Sequence, residues 1–426
     1  MPAVPRKPGS QEPTSPTRDP YAALRIADFR RILISHATST VAREGQMVVV
    51  GWQVYEHTRD PPSLGLIGLA EAVPFIAVAL LAGHAADRVN RRRLAIFGNL
   101  GLLLGAVALL LFTLFPGVAG PGRIWPIYLT ISLSAVARSF TRPAMTALSA
   151  DVVPRELYAS SVAWRSSTWQ FAAVVGPALG GLLYGFAGAA AAYAVVTAMF
   201  AIALVSMIFV VYVESRAPEV SEMTIGESLQ IGLRFVWKQP IVLGAMSLDL
   251  FSVLFGGATA LLPIFARMLR TGPQGLGLLR AAPAIGSVVM GVWIAHRPPF
   301  RRAGATMLVS VAIFGVCIIG FALSTSFLLS VALLILSGAA DNVSVVIRGT
   351  LIQTMTPAHL LGRVSSVNQI FIGSSNEIGA FESGLAAKLM GTVPSVIFGG
   401  TMTLLVVAVT VWRAPRLRAL REIHTP

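Results

Sequence analysis

The chain has little of what a soluble enzyme relies on. Charged residues make up 12% of its 426 residues, about half the usual ~25% of a soluble domain, and the acidic sign is the scarcer, 19 Asp and Glu against 33 Lys and Arg. That excludes an ordinary cytosolic globule. The single cysteine, Cys317, lies inside an apolar run, which excludes a disulfide framework and a cysteine-based metal site and makes it a packing residue. Six scattered histidines show no metal spacing, and no Gly-x-x-x-x-Gly-Lys-Ser/Thr loop is present. Neither a metal, nor another cofactor, nor a built-in ATPase or other catalytic site is therefore expected. Residues 1–28 carry Pro2, Pro5, Pro8, Pro13, Pro16 and Pro20 among scattered charges. They hold no apolar core of roughly 7–15 residues, so they are not a cleavable signal peptide but are expected to form a disordered cytoplasmic tail.

Hydrophobic residues are abundant, at 55%, with a mean hydropathy of +0.72. Runs bounded by charge, Pro or Gly fall at 31–56, 65–86, 94–115, 125–149, 161–186, 189–213, 241–265, 275–297, 304–324, 327–350, 363–388 and 392–413. Each is long enough to cross a hydrocarbon core of ~30 Å as a helix, and none alternates apolar with polar as barrel strands do. This predicts an all-α membrane protein of twelve transmembrane helices, spans 1 to 12. A net charge of +14 would suggest nucleic acid in a soluble protein. Here 22 basic residues lie on the tails and even-numbered loops and six on the opposite side. Because basic loops stay in the cytoplasm, both termini are expected inside a cytoplasmic (inner) membrane, and nucleic acid is not expected as a partner.

The polar segment from Glu214 to Gln239 divides the spans six and six, and Ile225, Leu229, Ile231, Leu233, Phe235 and Val236 beside Glu227, Arg234 and Lys238 predict an amphipathic helix on the inner surface. The expected organisation is a tail at 1–28, a six-helix half at 29–213, a linker at 214–240, a second half at 241–413 and a tail at 414–426. A shift of 203 residues lays Leu133-Ser134-Ala135-Val136-Ala137-Arg138 over Leu336-Ser337-Gly338-Ala339-Ala340-Asp341. A weaker match, at a shift of 212, lays Leu64-Gly65-Leu66 over Leu276-Gly277-Leu278. Two pseudo-symmetric halves with a substrate site between them are a transporter architecture.

The loop after span 2, Gly83-His84-Ala85-Ala86-Asp87-Arg88-Val89-Asn90-Arg91-Arg92-Arg93, resembles the major facilitator superfamily signature Gly-x-x-x-Asp-Arg-x-Gly-Arg-Arg/Lys. Asn90 stands in the Gly place, where Asn tolerates left-handed backbone better than other non-Gly residues. Span 5 carries Ala172-x-x-x-Gly176-Pro177-x-x-Gly180-Gly181, similar to the motif of that superfamily's drug/proton antiporters. With Phe140-x-x-Pro143-Ala144 and the stretch from Ala339 to Gly384, the chain resembles the bacterial exporter branch that includes enterobactin exporters. The resemblance implies the major facilitator fold and an inner latch at Asp87, with Gly83, Arg88, Arg91 and Arg92, where a carboxylate accepts from a helix N-terminus or an arginine. The alternative is a charge cluster that only sets topology. The second half offers His296-Arg297-Pro298-Pro299-Phe300-Arg301-Arg302 without an Asp, which implies one latch. Gly176, Gly180, Gly181 and Gly185 with Pro177 form a small-residue stripe, either pure packing or a hinge or seal against the other half where Pro177 weakens the helix ladder.

Ionisable residues inside spans are costly and mark function or pairing. They are Arg43, Glu44, Glu71, Arg138, Arg142, Arg165, Asp249, Asp341, Arg348, Glu377 and Glu382. Arg138 and Asp341 occupy equivalent repeat positions, and in the resembled fold spans 1, 4, 7 and 10 line the cavity, so the two are predicted to meet across it; the alternative is a partner within each half. Arg142 is assigned to the same cavity. Glu44 is the leading proton carrier, with Asp249 and Asp341, since desolvation eases protonation of a carboxyl group. Glu71 on span 2, Glu377 and Glu382 on span 11 and Arg280 on span 8 are predicted to form an outer gate, or else separate rim charges. Trp169 lies deep enough to line a pocket or to pack. The expected function is a proton-coupled secondary exporter of a small amphipathic or hydrophobic compound, drug-like or siderophore-like, by rocking of the two halves. The partners are then the small molecule, protons and the lipid bilayer, with the chain a monomer. An importer or facilitator of the same fold, and a transport-dead sensor or lipid-flipping protein, are the rivals.

Overall fold

A computed structural model describes residues 19, 21–120, 122–211, 225–298, 300–357 and 359–420. The helices are α1 (Ala27–Thr58), α2 (Pro61–Arg88), α3 (Arg91–Leu114), α4 (Trp125–Asp151), α5 (Tyr158–Ile208), α6 (Ile225–Lys238), α7 (Pro240–Gly256), α8 (Leu262–Met268), α9 (Gly272–Ala295), α10 (Ala303–Leu323), α11 (Phe327–Met355), α12 (Leu361–Met390), α13 (Thr392–Arg413) and the short α14 (Pro415–Arg418). In hydrocarbon every backbone amide must be satisfied within its own segment, which leaves the helix as the solution for long apolar runs. Eight stretches are apolar and long enough to cross a membrane by length and composition alone. One of them, Arg155–Ile208, folds as two traverses because Gly188 takes φ 83, ψ 173 and turns the chain back, a backbone conformation essentially reserved for Gly. The remaining traverses, α1, α4 and α12, are less apolar because they carry the buried charges described below. Span 7 is α7 and α8 joined by a 3-10 turn at Ala258–Leu261. Together these make twelve crossings.

Each half closes on small residues. In the first, Gly98 of α3 packs so closely on α4 that an added Cβ would lie 1.9 Å from Thr141 Oγ1. In the second, Gly286 of α9 sits against the backbone of Ile335 on α11 in the same way, at 1.8 Å from its carbonyl oxygen. The amphipathic α6 buries Val236 with Val242, Met246, Val364 and Val367 of α7 and α12, and leaves Leu233 and Trp237 exposed. The tail expected to be unstructured to residue 28 is folded from Tyr21 onward: Ala22–Arg25 form a 3-10 turn, Ala23 is buried with Phe29 and Val153, and the Tyr21 ring lies 5.9 Å from that of Trp164. Residues 1–18, the 214–224 part of the linker expected at 214–240 and residues 421–426 of the expected tail lie outside the described residues.

Among the described residues the halves pack closely at one end, the end remote from Tyr21 and α14. There α2 meets α12, with a Cβ at Gly65 3.1 Å from Phe381 Cα and one at Gly384 3.0 Å from Gly65 Cα, and α5 meets α9. Lys388 Nζ reaches Asp60 Oδ1 at 3.7 Å across the same boundary. Toward the other end α4 and α11 do not pack against each other, and the bundle stands open.

The Gly188 turn is testable. No atom lies within 4 Å of a Cβ there, so Gly188→Ala is opposed by backbone strain alone and should lower stability by about 1–3 kcal/mol. Gly226→Ala in α6 meets equally open space at an ordinary φ and should be neutral or slightly stabilising. Thermal unfolding of the purified protein in detergent, followed by circular dichroism, distinguishes the two.

Candidate functional site

At the heart of the first half, Glu71 of α2 is only 5% exposed. It accepts from Arg43 of α1, Nη2 to Oε1 at 2.6 Å, and from Arg138 of α4 through the same oxygen. Arg43 also donates from Nη1 to Glu44 Oε1 at 2.6 Å, and the Arg138 guanidinium lies 5.0 Å from the centre of the Phe75 ring. One carboxylate thus serves two arginines, and charge-assisted bonds of this kind are the strong ones. The predicted contact of Arg138 with Asp341 is not made. α2 packs against α4 within one half and brings Glu71 to Arg138, whereas α4 and α11 stand apart. The second half neutralises its own arginine in the same way, Arg348 of α11 pairing with Asp249 of α7, both buried. Glu44 and Asp249, expected as proton carriers, therefore each have a counter-ion. Asp341 is half-buried with no ion pair or hydrogen bond among the described residues.

The residues expected at an outer gate fall in two places. Glu377 of α12 leans over Gly68 of α2, its Oε2 3.7 Å from where a Gly68 Cβ would lie, one turn before Glu71. Arg280 of α9 is within electrostatic reach of Glu44, Arg43, Glu71 and Glu377. Three arginines and three glutamates from α1, α2, α4, α9 and α12 thus meet beneath the closed end. Glu382 does not join them. Five residues beyond Glu377 it points about 140° away around the helix, and it has no ion pair among the described residues.

The stripe on α5 divides into two faces. Gly176 and Gly180 face α1 in their own half, with added Cβ atoms at 2.6 Å from Glu44 Cβ and 2.5 Å from the Gly45 carbonyl oxygen. Gly181 faces Gly277 of α9 in the other half, where an added Cβ would lie 2.7 Å from Gly277 Cα, and a Cβ at Gly277 would lie 2.6 Å from the Pro177 carbonyl oxygen. Gly185 continues that face against Gln274. Gly277, and Gly65 facing α12, were not singled out as site residues from sequence, although the 212-residue repeat had already aligned these two glycines.

At the opposite end, Asn90 takes φ −52 and ψ 116 and caps α3, its Oδ1 accepting from Arg93 N at 3.1 Å. The left-handed tolerance of Asn is therefore not used here, since an N-cap takes non-helical, extended geometry. Arg91 pairs with Asp151 at the end of α4 at 2.6 Å, and Arg92 donates to the Ile208 carbonyl at the C-terminus of α5 at 2.6 Å, a favourable place for a cation. The side chains of Gly83 to Arg88, the Asp87 latch included, lie outside the described residues.

Two pseudo-symmetric halves, sealed at one end and parted at the other with charges buried at their junction, define a membrane transporter. The chain belongs to the major facilitator superfamily: residues 32–380 match the family model described as Major Facilitator Superfamily. It is similar to the multidrug efflux pump Tap of Mycolicibacterium fortuitum, 24% identical over 93% of this chain and 97% of Tap. It is also similar to the enterobactin exporter EntS of Citrobacter koseri, 26% identical over 92% of this chain and 93% of EntS. Among solved structures it shares the fold of a peptide transporter POT, with TM-score 0.72, 11% identity and coverage of 94% and 99%. A bacterial homolog of the lysosomal transporter Spinster, inward-facing and unoccupied, matches at TM-score 0.67 with 13% identity over 94% and 98%. The chain is a multi-pass membrane protein and a secondary transporter of small molecules.

Two expectations follow. Glu71→Gln leaves two half-buried arginines without their shared carboxylate and should destabilise by up to about 3–5 kcal/mol, and its effect should be strongly non-additive with Arg138→Gln. Arg138→Gln and Asp341→Asn should be additive, as residues in separate networks are. Thermal melts of the singles and doubles decide it. Second, Gly181→Ala should push the halves apart at the closed end, while Gly180→Ala acts within one half. Disulfide formation between Asp60→Cys and Lys388→Cys, in a Cys317→Ala background, should fall with the first substitution and persist with the second.

Proposed function

We propose that this transporter is a proton-coupled exporter of a small amphipathic or hydrophobic compound, working as a monomer in the inner membrane with both termini in the cytoplasm. The observation that carries the reading is the closure of the two halves over a neutral lattice of three arginines and three glutamates, with the far end open. With the basic loops in the cytoplasm, the open end faces inside, the state in which an exporter loads. The resemblance to Tap and EntS over nearly the whole length of each supports the outward direction.

Asp341 and Glu377 take the proton-coupling role in place of Glu44 and Asp249. For Asp341, keeping a desolvated carboxylate ionised without a counter-charge is costly and protonation removes that cost, while Glu377 shares its counter-charges with Glu71 and Glu44. Asp341 lies on a cavity-lining helix of the second half, and Glu377 reaches across the seal to Gly68. A proton arriving at Glu377 removes one negative charge from the lattice, leaves Arg280 less well compensated and so favours opening of the outer end. Asp87, with Arg88, is assigned to the inner latch that forms when that end closes.

The test is flux in sealed proteoliposomes with a compound panel, their orientation scored by maleimide labelling at Gln230→Cys. Acidifying the side remote from residue 230 should drive at least one compound toward that side. Asp341→Asn should abolish the drive by the gradient while leaving thermal stability close to wild type. Movement toward the residue-230 side under the same gradient would make the protein an importer, and flux indifferent to the gradient would make it a facilitator.

A further inference from the structure

Between the ion lattice and the open end lies a second set of basic side chains that the coupling scheme does not use. Arg142 of α4 is exposed, one turn below Arg138, and its guanidinium has neither a hydrogen bond nor an ion pair among the described residues. Arg165, on the first limb of α5, donates from Nη2 to Thr146 Oγ1 at 2.8 Å, and Thr146 in turn donates to the Arg142 carbonyl at 3.0 Å. His36 of α1, two turns below Arg43, is within electrostatic reach of both arginines. The charged groups facing this trio are Arg43 and the arginines themselves; no carboxylate of the described residues is in electrostatic reach of any of the three. The nearby acids, Glu44 and Glu71, are engaged by Arg43 and Arg138.

Arg43, Arg138 and Arg348 are each paired with a carboxylate, and Arg280 lies within electrostatic reach of Glu44, Glu71 and Glu377. A guanidinium stays charged at any physiological pH, and an uncompensated one at membrane depth is expensive. Thr146, one turn from Arg142, holds the Arg165 guanidinium against α4, so two cationic side chains are anchored on neighbouring helices, each offering N–H donors that match an oxyanion. Trp169, one turn along α5 from Arg165 and 51% exposed, offers an aromatic face beside it. Asp341, on the opposite half, lies out of reach of these arginines, so one wall of the cavity is cationic and the other anionic.

From this we infer that Arg142 and Arg165, with His36 and Trp169, form the loading subsite of the open cavity and that it takes a small aromatic or amphipathic organic anion, such as a carboxylate, phenolate or sulfonate. The inference rests on the exporter reading for its meaning but not for its test. The same oxyanion chemistry is offered by an anionic phospholipid headgroup entering from the leaflet, and the experiment separates the two sources.

The full chain is placed in phosphatidylcholine nanodiscs and titrated with salicylate and with its neutral counterpart salicylamide, binding being read by Trp fluorescence and by heat. Salicylate should bind at least tenfold more tightly than salicylamide, and Arg142→Gln and Arg165→Gln should each erase that preference. Arg142→Gln should keep the wild-type melting temperature, because its guanidinium anchors nothing in the fold. Equal binding of the two probes, or a preference that survives both substitutions, overturns the inference. Salicylate affinity unchanged in nanodiscs containing phosphatidylglycerol supports a soluble anion as occupant; competitive displacement by that lipid overturns it in favour of a headgroup. Anion selection without gradient-driven flux would retire the exporter reading and leave the subsite standing, and flux without anion selection would do the reverse.

Discussion

A charge held at the depth of a bilayer must be neutralised where it stands, and that requirement organises this molecule. Water cannot screen it and lipid cannot solvate it. In the first half the answer is Glu71, a single buried carboxylate shared by Arg43 and Arg138, which ties α1, α2 and α4 into one body. In the second half it is Asp249 with Arg348, which ties α7 to α11. Because each half balances its own central arginine, Arg138 and Arg348 keep their counter-ions when the halves move as units, which is what rocking of two rigid bodies demands.

The junction between the bodies obeys a different constraint. Nothing apolar distinguishes a helix neighbour from a lipid tail, so close approach depends on the removal of side chains. Gly65 and Gly384 let α2 touch α12, and Gly181 and Gly277 let α5 touch α9. These two contacts are related by the pseudo-symmetry of the halves. They rest on close backbone approach and can part at modest cost, while Glu377 and Arg280 add charges of opposite sign at the same junction. A weak steric seal over a neutral charge lattice is a bistable arrangement, and alternating access needs one.

The division of labour along α5 shows how one stripe of glycines serves both constraints. Gly176 and Gly180 weld α5 to α1 within the first half; Pro177, Gly181 and Gly185, rotated by one residue, meet the second half. A stripe that reads from sequence as either packing or seal is both, because adjacent positions on a helix point about 100° apart.

The sequence by itself determined that the chain crosses a membrane twelve times in two related halves and belongs among transporters, because length, apolarity and repeat are properties of the chain read in order. It also determined which residues were too costly to be accidental. What it left to the tertiary structure was pairing. Repeat positions matched Arg138 with Asp341, yet the fold joined Arg138 to Glu71, 67 residues away, because neighbours in a bundle are set by which helices pack within a half and not by symmetry between halves. Asn90 likewise serves as a helix cap, and Glu382 is turned away from Glu377 by a fraction of a helical turn. The isolation of Arg142 and Arg165 from the carboxylates of the described residues was equally invisible in the chain: whether a charge has a partner depends on distances through space, and those exist only once the helices have packed.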